Sequence, residues 1–225
     1  MSSISGILGT AALVGLGIVA GLAFVWTVVL KTASRLAARA GHASPCPVSL
    51  GWIVNNPVRR RYMRPVLGRV GIRPGERVLE LGPGPGAFSL DAARMLGADG
   101  RLVSVDIQPE MIAQLERRAR AAGVGNIEAH TASAYELPLE DASVDRAFLV
   151  TVLPEIPDRM RALAELRRVL KPGGVLSVTE EFLDPDYLFA GETLSLVEAA
   201  GFLADRRFGN AWIYTWNFTK PGAAP

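Results

Sequence analysis

The chain of 225 residues has little cysteine and little histidine: Cys46 alone, with His42 and His130 far apart. One cysteine excludes an intramolecular disulfide and Cys-rich zinc sites, and leaves an inert thiol as the plain expectation for Cys46. Two scattered histidines make no metal cluster, so no metal site is expected. Charge is missing from the first thirty residues, Met1 to Leu30. A cleaved signal peptide would need a basic start and an apolar run of about 7 to 15 residues, and neither is present. Internal repeats and low-complexity tracts are absent apart from a small Gly/Ala/Pro tail over residues 221–225.

What stands in the uncharged stretch is an apolar run from Ile4 to Leu30, the main source of a mean hydropathy of +0.24. At 1.5 Å per residue it can cross a hydrocarbon core about 30 Å thick, so residues 1–31 are expected to form one transmembrane helix. Gly17 and Gly21 supply a GxxxG step that could pair two such helices into a homodimer. Lys31, Arg35 and Arg39 follow, then seven arginines between Arg59 and Arg77 against one acid, Glu76. That excess of basic residues after the span predicts a single-pass membrane protein with its C-terminal side in the cytoplasm. Without interleaved aromatics, the basic stretch suits anionic lipid headgroups better than nucleic acid. Pro45, Pro47, Gly51 and Pro57 break residues 32–55 into a juxtamembrane linker. A domain over 56–220 is expected to follow.

Within that domain, strand and helix patterns alternate. The spacing predicts one helix over 59–70 and strands at 77–81, 101–105, 126–130, 145–150 and 174–180. Further helices fall at 87–96, 109–122, 158–170 and 191–200, with last strands near 203–208 and 211–219. Such alternation implies a doubly wound α/β sheet, Rossmann-like, with helices on both faces. In the 158–170 helix, Met160, Leu163, Leu166, Val169 and Leu170 share one face. Lys171-Pro172-Gly173-Gly174 reads as its stop.

The chemistry is concentrated after the first strand. Glu80-Leu81-Gly82-Pro83-Gly84-Pro85-Gly86-Ala87 places a glycine-rich turn between a strand and a helix, where backbone can approach a nucleotide-like ligand. Gly82-x-Gly84-x-x-Ala87 also fits a dinucleotide fingerprint, so an NAD-type oxidoreductase is one alternative. The second strand ends in Asp106, whose carboxylate can accept hydrogen bonds from two ribose hydroxyls, with Ile107 beside it for an adenine face. Asp106 is equally a candidate cap for the helix that starts at Pro109.

In this order, with Ala134-Tyr135-Glu136-Leu137-Pro138-Leu139, Asp145 and Leu166 to Gly174 following, residues of about 56 to 220 resemble the class I methyltransferases that use S-adenosylmethionine (SAM). The resemblance is to the group acting on quinone precursors, lipids and other small molecules. It implies a seven-stranded sheet with an antiparallel last strand at Trp212 to Thr219. It also implies SAM as cofactor, bound by Glu80, Gly82, Gly84, Gly86, Asp106, Ile107, Ser133, Ala134 and Thr151. Ser133 stands where the family often carries an acid that reads the adenine amino group. A methyl acceptor requires a general base only if it must lose a proton. Glu155 and Tyr62 are the catalytic candidates; Glu180, Glu181 and Tyr135 also lie near the expected pocket mouth. With so short an insertion between Glu181 and Gly191, and with an anchor, the expected acceptor is a small hydrophobic or lipid-like molecule. A SAM-binding membrane scaffold without turnover is the second alternative.

Overall fold

The structure, a computed structural model, describes residues 55–222 continuously, with residues 13–18, 21–22, 24–30 and 32. Most of the predicted membrane span, nearly all of the linker, Cys46 and His42 lie outside the described residues. The described N-terminal stretches are helical, including a π-helical stretch Val25–Leu30. Among the described residues no helix is long and apolar enough to cross a membrane.

Asn56 opens the domain as a helix cap, its Oδ1 accepting the Arg59 amide at 2.8 Å ahead of α1, Pro57–Met63. The single helix expected over 59–70 is two. Pro65 has no N–H to continue the ladder, so α1 ends and α2, Pro65–Val70, begins. Gly71 closes α2 with φ +72°, a left-handed cap suited to glycine.

Then follow β1 (Arg77–Leu81), α3 (Ser89–Leu96), β2 (Arg101–Asp106), α4 (Pro109–Ala121), β3 (Ile127–Thr131) and β4 (Val144–Val150). After a 3₁₀ turn at Leu153–Glu155 come α5 (Arg159–Val169), β5 (Leu170–Glu181), α6 (Ala190–Ala199), β6 (Leu203–Gly209) and β7 (Ile213–Thr219). The seven strands form one sheet in the order β3-β2-β1-β4-β5-β7-β6. The β1–β2, β1–β4, β2–β3 and β4–β5 pairs are parallel, and β7 runs antiparallel to both neighbours.

Alternation of side chains across the strands separates two cores. Leu79, Leu81, Val103, Val105 and Val178 pack with Leu163 and Leu166 of α5 on one face. Val78, Leu102 and Phe148 pack with Met63, Val66 and Ala92 of α1, α2 and α3 on the other. Met160, predicted inward, is 42% exposed and lies in the first turn of α5.

The Lys171–Gly174 segment follows the end of α5 at Val169, as expected of a helix stop, but has a second role. It is not a turn outside the sheet but the irregular start of β5, with a register shift opposite Val144/Arg146 and the Gly173 amide bonded to the Lys220 carbonyl at 2.9 Å. Asp145 lies at this same end, accepting the Arg77 amide at 2.8 Å and Lys171 Nζ at 2.5 Å. It therefore ties the starts of β1, β4 and β5 together, away from the strand tips where ligands bind in such sheets.

Candidate active site

Parallel register sets Glu80 directly beside Ser104. The buried Glu80 carboxylate accepts both Ser89 Oγ at 2.5 Å and Ser104 Oγ at 3.0 Å. Burial pushes this carboxyl up to about 7, against the opposing pull of the two serine hydroxyls. Glu80 thus braces the glycine turn from beneath, joining β1, β2 and the start of α3.

Three glycines in that turn have positive φ, but for different reasons. A Cβ on Gly82 would fall 2.4 Å from Val152 Cγ2, and one on Gly86 would fall 2.6 Å from Leu115 Cδ1. A Cβ on Gly84, at φ +53°, would meet nothing within 4 Å. Protein atoms close off the first two positions; the third faces open space where a ligand can touch backbone. The Gly84 amide donates to Asp106 Oδ2 at 3.1 Å, and the Gln108 amide to Oδ1 at 3.0 Å. Burial raises the Asp106 carboxyl pKa, and these amides oppose the shift. Gln108, not Asp106, occupies the cap position of α4. Arg118, which the sequence did not single out, grips the Pro85 and Gly86 carbonyls from α4.

Ile107 beside Asp106 is exposed. Ser133 follows β3, but its Oγ already accepts the Tyr135 amide at 3.2 Å in a local turn. Ala134 packs against the core. Thr151, just past β4, is buried with φ +56°. Such a conformation costs a β-branched residue about 1–2 kcal/mol. Two bonds hold it there: its amide to the Thr179 carbonyl at 2.8 Å, and Arg59 Nη2 to its Oγ1 at 3.4 Å.

Arg59 leads to the second half of the site. Although it belongs to the basic stretch assigned to lipid, it is buried, with Nε 2.7 Å from Glu181 Oε2 at the tip of β5. Tyr62 donates its hydroxyl to the other oxygen of Glu181. The Arg59 guanidinium also lies 5.9 Å from the Phe88 ring centroid, just after the glycine turn. This one side chain therefore touches the glycine-loop, β4 and β5 tips together.

Glu155 joins a different group. Successive residues of β5 point to opposite faces, so Glu180 looks away from Glu181. Both Glu180 oxygens are buried with no partner at hydrogen-bond geometry. Burial raises its pKa well above the carboxylate range, and the charges of Asp184 and Glu155 add to the shift. Arg159 and the nearby Leu188 amide only partly oppose it. Burial likewise lifts Asp184 to about 6. The two catalytic candidates, Tyr62 and Glu155, thus serve separate carboxylates. Over this end stand Phe182, Tyr187 and Trp212, with Phe182 edge-on to Tyr187 at 5.4 Å and to Trp212 at 5.0 Å. Leu183, Phe189 and Trp212 are exposed there.

Pairing of Arg59 with Glu181 had no local signal in the sequence, nor did the grip of Arg118. Ser89 did: it sits at the helix start just after the glycines, where an oxygen can reach back to the strand.

Known proteins bear on the fold and on the stretch that carries the glycine turn. Residues 78–174 match the family model described as a methyltransferase domain. The ubiquinone/menaquinone biosynthesis C-methyltransferase UbiE of Vibrio campbellii is 35% identical over 137 residues, covering 59% of this chain and 53% of that protein. The chain spans about half the length, or less, of the curated relatives it matches. A SAM-dependent methyltransferase from Aquifex aeolicus superposes with a TM-score of 0.73 at 23% identity, covering 78% of this chain and all of that one. The [4+2]-cyclase SpnF superposes with a TM-score of 0.65 at 20% identity, covering 86% of this chain and 93% of that one. An antiparallel β7 inserted between β5 and β6 also departs from the 3-2-1-4-5-6 order of dinucleotide-binding sheets, which weighs against the oxidoreductase alternative. Residues 78–174 are similar to a methyltransferase domain, and the sheet that carries them has the fold of a solved SAM-dependent methyltransferase.

Proposed function

We propose that the protein transfers the SAM methyl group to a small hydrophobic acceptor, of quinone-precursor or phospholipid type. In this reading residues 1–31 anchor it in a membrane and the domain over 56–220 lies on the cytoplasmic side, with residues 32–55 as linker. The observation that carries the site assignment is the open space at Gly84, the loop glycine that no protein atom closes, beside the Asp106 carboxylate. Those residues fit the cofactor: Asp106 has further lone pairs for ribose hydroxyls, and the exposed Ile107 offers an apolar face for adenine.

When bound, SAM supplies an electrophilic methyl group, so the chain's work is mainly positioning. Arg59 holds Thr151 and Glu181 in place around the cleft. Tyr62 and Glu181 share a hydrogen bond through which an acceptor proton can be taken up, should the acceptor have to lose one. The exposed Leu183, Phe189 and Trp212 favour an apolar acceptor. In the N-terminal stretches Leu13, Leu16, Ile18, Leu22 and Phe24 are all exposed, a solvation cost that a bilayer would relieve. Gly17 and Gly21 are open to close approach by a second helix, and a homodimer through that face belongs to the proposal.

The test is calorimetry on the full chain in detergent, with SAM, NAD and the Asp106→Ala variant, followed by methyl transfer from labelled SAM to membrane lipid extract. SAM binding lost in the variant, with label appearing in the lipid fraction, supports the proposal. Label appearing only in water-soluble acceptors sinks the acceptor class. A second reading, ligand binding on this fold without methyl transfer, is favoured by the likeness to a cyclase. It predicts SAM binding with no labelled product from any acceptor.

A further inference from the structure

A groove lies on the outer side of α1, between it, α2 and α3. It has a volume of 540 Å³, and Arg60, Arg61, Arg64 and Arg94 line it. One carboxylate answers these four arginines. Asp91 pairs with Arg94 at 3.0 Å and, at 3.7 Å, with Arg60. Among the described residues no carboxylate pairs with Arg61 or Arg64. The charge here extends beyond the rim: after burial, the field of Arg60 is the next cause lowering the Arg118 guanidinium from its usual pKa.

The floor is apolar. Leu67 and the exposed Met95 line it, and Gly68 leaves it open, since a Cβ there would meet nothing within 4 Å. A site with unpaired guanidinium groups at its rim and apolar carbon below suits an amphiphile with an anionic head. Arginine forks match phosphate oxygens in pairs, and the floor accepts the first carbons of a chain. The groove begins at Pro57, the residue at which the sequence enters the domain from the basic linker and the apolar run.

We propose that this groove binds the phosphate headgroup of an anionic membrane lipid and docks the α1–α3 face of the domain on the bilayer. α1 is then a shared wall. Its outer side carries Arg60 and Arg61, with Arg64 just after it, while its inner side sends Arg59 and Tyr62 to Glu181. Lipid at the groove orients the acceptor end of the site at the membrane surface. The inference extends the membrane part of the function proposed above, but it stands on its own charges and has its own readout.

The experiment uses the full chain in phosphatidylcholine vesicles, with and without phosphatidylglycerol, and follows amide hydrogen exchange in residues 57–70 and 89–96. Exchange there should slow by about fivefold or more in the anionic vesicles, an effect of the size expected from one basic residue's attraction to an anionic surface. High salt should reverse it. Arg61→Glu with Arg64→Glu should abolish the slowing, while Arg206→Glu with Arg207→Glu on β6 should keep it; thermal melting checks that both variants fold, with glutamine substitutions as the milder pair. Equal exchange in both vesicle types, or equal loss in the two variants, overturns the proposal. So does the same slowing produced in neutral vesicles by inorganic phosphate, which would make the groove a free-phosphate site, or by a short DNA duplex. Failure of the chain to insert in neutral vesicles, with the arginine-dependent slowing intact on anionic ones, would remove the anchor and leave the groove.

Discussion

Around Gly84 and Asp106, polar groups are satisfied by neighbours close in sequence or by the adjoining strand; around Glu181 and Glu180 they are satisfied across the chain or not at all. Ser89 reaches Glu80 over nine residues, and Gly84 reaches Asp106 over 22. Arg59 reaches Glu181 over 122, and among the described residues the Glu180 carboxyl has no partner at full hydrogen-bond geometry, only the Leu188 amide nearby. The first region is built by short-range bonds, as the proposed cofactor cradle requires. In the second, a buried ion pair and an orphaned carboxyl are kept at a cost in stability that packing alone would not select. Regions that retain such costs are where an acceptor is to be sought.

The largest expected effect comes from breaking the long-range pair. Arg59→Met leaves Glu181 buried without its cation and should lower stability by about 3–5 kcal/mol in urea unfolding. SAM affinity should change little, because the glycine turn and Asp106 keep their bonds; a parallel collapse of SAM binding would show that the two regions are one unit.

Next, the turn can be divided against itself. Gly82→Ala combines a left-handed backbone with a Cβ only 2.4 Å from Val152 Cγ2 and should cost about 2–4 kcal/mol. Gly84→Ala meets no protein atom and should cost only about 1–2 kcal/mol of backbone strain, while weakening SAM binding out of proportion. Melting curves with and without SAM separate the two, and similar SAM affinities in Gly84→Ala and wild type would take the ligand away from Gly84.

The carboxyls offer a pH comparison. Glu80 and Glu180 have folded pKa values raised by burial. The stability each gives by staying protonated is complete below the unfolded carboxylate value and is lost as pH rises through the folded value. For Glu80 the window runs from 4.5 to about 7. Glu180 is raised as well, by burial first, so its contribution is likewise lost as pH rises. Each contributes at most about 1.4 kcal/mol per pH unit. Glu80→Gln should flatten stability within its window, and Glu180→Gln should remove a separate loss of stability with rising pH, in denaturant titrations across pH. A Glu80→Gln profile identical to that of wild type would mean that burial does not hold Glu80 protonated.

The smallest effect belongs to Ser133→Ala. Its hydroxyl serves a local turn, so about 0.5–1.5 kcal/mol of stability is at stake. SAM affinity should change less than threefold in calorimetry; a larger loss would restore Ser133 to the adenine contact.

Much of the fold was legible because its signals are local. Strand and helix periodicities placed β1 to β7 within a few residues, Pro and Gly marked most ends, and the Glu80–Gly86 turn with Asp106 announced a cofactor cradle. Local signals also misled: Pro65 splits a pattern that reads as one helix, the Lys171–Gly174 breakers enter a strand, and Met160 follows the helical period into solvent. Of the acceptor end, sequence supplied Tyr62, Glu155, Glu180 and Glu181 as names without partners.

By itself the sequence determined the α/β alternation, the place of the glycine turn and the carboxylate at the end of β2, because each is set by residues a few positions apart. Only the tertiary structure decided which arginine of the basic stretch turns inward, which carboxylate it meets and which is left unpartnered. Those outcomes depend on α1 crossing the tip of β5, a contact between segments more than a hundred residues apart whose geometry no local pattern encodes.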